Sequence, residues 1–203
     1  VNREQARSVV VQPDGRIVLS GTCGAQSCLA RFLPGGTLDT TFNGTGKVTT
    51  TLAGSYANMR GAVLQPDGKI VVAGNCTVAS VYEFCVARYL SSGALDTSFG
   101  SAGYVSSVIT ANNVAQTAVL QPDGKILVAG SCAGTVNQDF CVVRYLGNGQ
   151  FDSAFGAAGK AIFTVGTSTD TAYAMLLQPD GKIVVAGGCA AGSQGYFCVA
   201  RLL

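Results

Sequence analysis

The sequence contains no histidine and no tryptophan, and only 12% of its 203 residues are charged. Without histidine, the Ser-His-Asp and Cys-His catalytic arrangements and histidine-ligated metal centres are excluded. The lack of tryptophan weakens a carbohydrate-binding interpretation that depends on exposed aromatic rings. The net charge is +2 and the basic residues are scattered, so we expect no nucleic-acid partner.

Long apolar runs are also absent. Stretches such as 182–186 end long before the ~18 residues that a membrane span requires, so we expect no membrane span. The chain starts at Val1 without a leader, which we interpret as a mature product whose signal has been removed. The apolar content of 48% is nevertheless high enough for a folded domain with a core.

Cysteine is abundant and regularly placed: eight residues form four close pairs. Zinc sites, the alternative, usually have CxxC spacing or histidine, and neither occurs here. We therefore predict four local disulfides, which indicate an oxidising compartment and a secreted, extracellular or cell-surface location, with the periplasm as the alternative. The predicted pairs are Cys23 with Cys28, Cys76 with Cys85, Cys132 with Cys141, and Cys189 with Cys198.

A Gln-Pro-Asp-Gly string recurs four times, beginning at Gln12, Gln65, Gln121 and Gln178. Proline presets φ, aspartate tolerates the next turn position, and glycine adopts the left-handed conformation that closes a tight hairpin. Runs rich in Val and Ile flank each turn, and no segment shows a helical apolar period. The pattern predicts four strands in each repeat and almost no helix.

Repeats of about 55 residues with four strands have the size of propeller blades. We predict an all-β fold, a four-bladed β-propeller in which each repeat carries a hairpin disulfide. A β-solenoid or a pair of stacked sandwiches is the alternative. The whole chain, 1–203, is then one domain. The predicted blades are approximately 1–33, 46–90, 103–146 and 159–203.

The repeat resembles the delta-60 repeat of secreted and surface-anchored bacterial proteins. The resemblance is carried by the string that begins at Gln65 and by the Leu-Asp-Thr-Ser-Phe-Gly segment that begins at Leu95, with relatives at Leu38 and Phe151. It implies a β-propeller at the cell surface and supplies no catalytic residues. The paired cysteines are an elaboration of that pattern.

The numbers of predicted turns and predicted strands in the four repeats do not match. Four turns and four cysteine strands are present, but only three short Gly-Lys-Val-type strands, at 46–48, 103–105 and 159–161. In our assignment one blade lacks its first strand, and an open sheet edge accepts strand addition. We expect a neighbouring molecule or flanking sequence to supply it, which predicts self-association. Alternatively, residues 1–5 fill the position, or the blade has three strands.

Most charged residues belong to the repeat itself. The arginines of the cysteine strands, including Arg31 and Arg88, are expected to bridge blades through an aspartate or backbone carbonyls. The connector aspartates, such as Asp96, are expected to cap turns, with Ca²⁺ binding as the less favoured alternative. Glu83 and Asp139 fall in different repeats, so no glycosidase-type pair is expected. We predict no enzymatic activity, no cofactor and no metal.

Two groups of residues remain as candidates for binding or modification. The tyrosines at irregular positions, which could form a ligand rim, are Tyr56, Tyr82, Tyr173 and Tyr196. The sequons at Asn43 and Asn75 are candidate glycosylation sites. The resulting functional prediction is an extracellular structural or adhesive module, a subunit of a surface filament assembled by strand complementation. The alternative is a lectin-like propeller that binds a glycan or a protein ligand.

Overall fold

The structure is a computed structural model that describes residues 4–134 and 137–203. These residues form β-strands and no helix, and none of them belongs to a helix that could cross a membrane. The strands are β1 Glu4–Val11, β2 Ile17–Cys23, β3 Gln26–Phe32, β4 Lys47–Thr50, β5 Tyr56–Leu64, β6 Ile70–Val78, β7 Val81–Tyr89, β8 Tyr104–Ser107, β9 Val114–Leu120, β10 Ile126–Ala133, β11 Gln138–Tyr145, β12 Lys160–Phe163, β13 Thr171–Leu177, β14 Ile183–Ala191 and β15 Gln194–Leu202.

The strands pair into four antiparallel sheets in chain order, one for each repeat. The first three blades have four strands each, β1 to β4, β5 to β8 and β9 to β12, whereas the fourth has only β13, β14 and β15. The turn from the first to the second strand of a blade closes through local bonds. In the second blade, Gly68 has a φ of 81° and its N–H donates to the Gln65 carbonyl at 2.9 Å.

Successive blades pack face to face, with the innermost strands β1, β5, β9 and β13 in contact in that order. Apolar layers fill the spaces between neighbouring blades. One layer joins Val18 of the first blade to Val72 of the second, and the next joins Phe84 to Val128 of the third. Burial of these apolar surfaces is the main stabilising contribution. The predicted all-β, four-bladed propeller fold is confirmed.

Two blade faces at the ends of this series are uncovered in the described part of the chain. On the fourth blade, Phe197 is fully exposed and Val199 is 67% exposed. On the first blade, Leu19 and Phe32 are only half-buried on the side away from the second blade. The four blades therefore form an open arc in which the first and last faces do not cover each other.

The structure corrects the predicted blade boundaries. The short strands were assigned to the blade that follows them, but each pairs with the cysteine strand that precedes it, as β8 does with β7. A connector of about a dozen residues easily brings the chain back antiparallel to the strand it has just left. The blades therefore span 4–50, 56–107, 114–163 and 171–202, not 1–33, 46–90, 103–146 and 159–203. Residues 1–3 of the first predicted blade lie outside the described residues.

This pairing also changes which blade is missing a strand. In the part of the chain that the structure describes, the incomplete blade is the fourth, which lacks an outermost strand beside β15, and not the first. Glu4 and Gln5, proposed as residues that fill the gap, instead belong to β1 and pair with Cys23 and Thr22 of β2.

All four predicted disulfides are present, each across the hairpin between the second and third strands of its blade. The Cα atoms of each pair are 5.5 to 5.9 Å apart, within the usual range for a disulfide. Bridges in every repeat indicate folding in an oxidising compartment.

Candidate functional site

Each complete blade contains a charged cluster that ties the cysteine strand to the connector, the segment between the third and outermost strands. In the second blade, Arg88 Nε donates to Asp96 Oδ2 at 2.7 Å, and the guanidinium carbon lies 4.7 Å from the centre of the Phe99 ring. Arg88 Nη1 also donates to the Gly147 carbonyl of the third blade at 2.6 Å. Arg31 makes the equivalent bond, donating to the Ser91 carbonyl of the second blade at 2.7 Å, so the predicted bridging of blades is confirmed for Arg31 and Arg88. Among the described residues, Arg144 bonds only within its own blade.

The connector aspartates act as turn caps, as expected. Ser98 donates to Asp96 Oδ1 from its backbone N–H at 3.1 Å and from its hydroxyl at 2.6 Å, while Arg88 occupies Oδ2. Burial raises the pKa of Asp96, but the Ser98 hydrogen bonds and the charge of Arg88 outweigh it and lower the pKa to about 2. The carboxylate is therefore charged and fully engaged within the blade.

The fourth blade holds only part of this cluster. Lys182 Nζ contacts Asp180 Oδ2 at 2.9 Å, but Arg201, which corresponds to Arg88, forms no ion pair among the described residues. Beside it, the outer edge of β15 has no strand partner within residues 4–134 and 137–203. The equivalent edge of β11 pairs Phe140 through Val143 with β12. With respect to the described residues, the fourth blade thus presents unpaired backbone groups beside a guanidinium that has no ionic partner.

The uncovered surface of the fourth blade is apolar and concave, with a hollow of about 890 Å³. We call the part of it formed by Val184, Ala186, Phe197 and Val199 the fourth-blade face. The residues at the same repeat positions in the second blade are Val71, Ala73, Phe84 and Val86, all of which are buried against the third blade. The fourth-blade face therefore has the composition of a blade interface.

The uncovered side of the first blade corresponds to the other half of an internal blade interface, and it has a hollow of about 300 Å³. We call the part formed by Leu19, Ala30, Phe32 and the Cys23–Cys28 disulfide the first-blade face. Its counterparts in the second blade include Val72, Ala87 and Tyr89, which are buried against the first blade. Every internal interface joins these same two kinds of face.

A further set of residues lies on the innermost strands. Each of these strands has a β-bulge five positions before the turn glutamine, and the bulged residues are Arg7, Arg60, Gln116 and Tyr173. Two hydrogen bonds show that neighbouring bulges are close. Arg60 Nη1 donates to Gln116 Oε1 between β5 and β9, and the N–H of Ala62 donates to Ser8 Oγ at 3.1 Å between β5 and β1. We call these four residues the axial row.

The axial row carries uncompensated positive charge. Burial, and then the nearby charge of Arg7, lowers the pKa of Arg60. Neither guanidinium forms an ion pair among the described residues, and Arg60 Nε is buried without a hydrogen-bond partner. Sequence reasoning missed this row, although the bulge position carries Arg, Arg, Gln and Tyr while its surroundings repeat. Such variation within a repeat is the signal that would have found it.

The candidate tyrosines do not form one rim. All four are exposed, but they lie on two different blades, with Tyr173 and Tyr196 lining the hollow on the fourth. Tyr56 and Tyr82 lie on the second blade, both in register with Thr77 of the strand between them. A ligand rim made of the four tyrosines is therefore not supported.

The two sequons differ in accessibility. Asn43 is exposed in the first connector, with a φ of 52°, and its glycosylation stays a prediction. Asn75 is only 4% exposed because it points inward from β6, so the folded structure argues against a glycan there. A sequon does not show whether its asparagine points to solvent or into the core. That orientation is what distinguishes these two sites.

The fold and these interfaces define a β-propeller repeat protein: disulfide-stapled antiparallel blades stacked face to face. The family model described as domain of unknown function (DUF5122) beta-propeller matches residues 12–42, 65–99, 121–155 and 178–203. These matches cover more than half of the chain, which therefore belongs to that family. The match supports the β-propeller part of the delta-60 resemblance. A search of curated proteins finds no match.

Proposed function

We propose that the protein is an extracellular structural or adhesive module that acts by self-association. The observation that carries the proposal is the fourth-blade face, where a fully exposed Phe197 occupies the position that is completely buried as Phe84 and Phe140 in the preceding blades. Exposed apolar patches of this kind mark interaction sites. The four disulfides support a location outside the cell or at its surface.

The partner that fits this face is the first-blade face of a second copy. All three internal interfaces pair the corresponding surfaces, so the contact repeats a packing that the chain already uses. Burying one phenylalanine side chain contributes about 1.5–3 kcal/mol. Because the two faces differ, the contact is head-to-tail, and it either closes into a ring or continues as a filament.

The unpaired edge of β15 offers a second means of assembly. An exposed strand edge is a template for another strand, and addition of one gives affinity through backbone hydrogen bonds. We propose that strand complementation at this edge, together with the face contact, joins subunits at the cell surface.

The test measures the mass of the protein in solution by sedimentation, for wild type, Phe197→Asp and Tyr82→Asp. Wild type and Tyr82→Asp should associate with increasing concentration, whereas Phe197→Asp should stay monomeric. Both substitutions place an aspartate at an exposed aromatic residue of a hairpin strand, so their folding is expected to be equally unaffected. Monomeric wild type at every concentration, or unchanged association of Phe197→Asp, would contradict the proposal.

The axial row favours a second candidate function, lectin-like binding of an acidic saccharide. Arg7 and Arg60 would hold its carboxylate or sulfate group, because guanidinium groups form strong charge-assisted bonds to such anions. Titration of a sulfated and a neutral disaccharide tests this. Sulfated ligand alone should bind, with at least tenfold lower affinity for Arg60→Ala; equal binding of both ligands, or of neither, would refute it.

We propose that the protein has no catalytic activity. Glu83 accepts a hydrogen bond from Ser106 in the second blade, whereas Asp139 is buried in the third. These acids belong to separate blades, which does not favour a cooperating pair. Hydrolase assays on glycoside and peptide substrates test this proposal, and turnover that copurifies with the protein would overturn it.

A further inference from the structure

We infer that the outer edge of the fourth blade is a binding site for an extended polypeptide segment of the connector type, with the pattern Leu-Asp-Thr-Ser-Phe followed by Gly and a short strand. This inference deepens the proposed function, on which it rests, by naming the sequence of the complementing strand. Its basis is the set of contacts that three such segments make in the complete blades and the presence of matching groups in the fourth.

The backbone contacts of the connector are best seen in the second blade. The N–H of Arg88 donates to the Gly103 carbonyl at 3.0 Å, and the N–H of Asp96 donates to the Arg88 carbonyl at 2.8 Å. The following strand β8 then pairs with β7 from Phe84 to Ala87. The connector and its strand therefore act as one continuous ligand for the edge of β7.

Side chains give this ligand its sequence specificity. The carboxylate of Asp96 accepts a hydrogen bond from Arg88 Nε at 2.7 Å and lies 3.5 Å from Lys69 Nζ, so one acid contacts two bases. The ring of Phe99 lies under the guanidinium, and Leu95 forms a bridge with Tyr89. Charge-assisted bonds of this kind are stronger and more directional than neutral ones.

The fourth blade offers the same groups to a missing ligand. Arg201 and Lys182 stand at the positions of Arg88 and Lys69, and Leu202 stands at that of Tyr89. The guanidinium of Arg201 is exposed and has no carboxylate partner among the described residues. Alternate backbone groups of a strand point to the same edge, so those of Phe197, Val199 and Arg201 face the vacant side.

The three connectors within the described chain are already in use. Their aspartates, Asp39, Asp96 and Asp152, are only 2%, 5% and 6% exposed. The donor is therefore a segment of this pattern, from a polypeptide of the same repeat family, that is not engaged in a blade of its own.

The test titrates the full chain with a synthetic peptide of residues 90–107, which contains one connector and its strand. We expect saturable binding of one peptide per chain, with slowed amide hydrogen exchange at Phe197, Val199 and Arg201. Arg201→Ala should weaken binding by about tenfold to a hundredfold, because it removes a charged hydrogen bond. Peptide in which Asp96 is replaced by Asn should lose affinity similarly.

Two controls match these changes. Lys47→Ala removes an exposed basic side chain from β4 of the first blade and should bind as wild type does, and a scrambled peptide of the same composition should not bind. Failure of the peptide to bind, equal binding of the scrambled peptide, or full affinity of Arg201→Ala would overturn the site.

The outcome separates this inference from the proposed function. If the chain associates in solution but does not bind the peptide, the connector site is wrong and the module role stands. If a strictly monomeric chain binds the peptide, the site stands and self-association fails.

Discussion

Arg88 illustrates how single residues hold this molecule together, since one guanidinium contacts Asp96, the Phe99 ring and a carbonyl of the next blade. Removing it leaves a buried carboxylate whose remaining positively charged partner is the more distant Lys69. We predict that Arg88→Ala destabilises the protein by about 3 kcal/mol. Denaturant unfolding measures this directly.

Arg201 provides the matched control for that prediction. It stands at the same repeat position but is exposed and unpaired among the described residues, so Arg201→Ala should change the free energy of unfolding by less than about 0.5 kcal/mol. Similar destabilisation by the two substitutions would show that the Arg88 cluster does not stabilise the fold.

The same cluster predicts how stability depends on pH. The pKa of Asp96 is about 2 in the folded protein, below its ordinary value of 3.8. Its contribution is therefore complete above pH 3.8 and is lost as the pH falls towards 2. Unfolding free energies between about pH 5 and pH 2 should fall less steeply for Asp96→Asn than for wild type. Parallel curves would exclude this role of Asp96.

At the residue scale, repetition determined what the sequence could predict. The arginine and aspartate roles followed from their recurrence at fixed positions, and the structure shows them in contact. The axial residues Arg7 and Arg60 were missed because no local pattern reveals that bulges on separate strands meet. The burial of Asn75 could not be predicted for a similar reason, since the strand register, and not the sequon, decides which side chains point inward.

Among the secondary-structure elements, the hairpins were the most predictable. A Pro-Asp-Gly turn restricts φ locally, and cysteines on both arms of a hairpin are close whatever the tertiary structure. The short strands were assigned to the wrong neighbour because alternation identifies a strand but not its partner. The Leu95 bridge to Tyr89, which holds the connector against its own blade, depends on tertiary contact.

The hairpin disulfides differ in accessibility, which predicts an order of reduction. Cys23 and Cys28 lie half-buried on the first-blade face, whereas Cys76, Cys85, Cys132 and Cys141 are completely buried between blades. In dilute protein, mild reductant should open Cys23–Cys28 before Cys76–Cys85 and Cys132–Cys141. Alkylation followed by peptide mass spectrometry measures the order, and earlier labelling of the buried pairs would contradict the structure.

At the scale of the whole molecule, the number of blades was predictable but the shape of their arrangement was not. Four repeats give four blades. Whether the last blade reaches the first depends on the packing angles between blades, and these arise from side-chain packing that no repeat pattern encodes. The arc leaves Phe197 at one end and Leu19 at the other, both uncovered by the rest of the described chain. The proposed role in assembly depends on these two ends.

The central claim, that unlike faces join head-to-tail, is tested most directly by mixing two variants that each lose one face. Phe197→Asp keeps only the first-blade face, and Leu19→Asp keeps only the fourth-blade face, with folding checked by circular dichroism. Each alone should have the 20.6 kDa mass of one chain, whereas an equimolar mixture should form particles of two chains. A mixture that remains monomeric, or Leu19→Asp that associates with itself, would contradict the account.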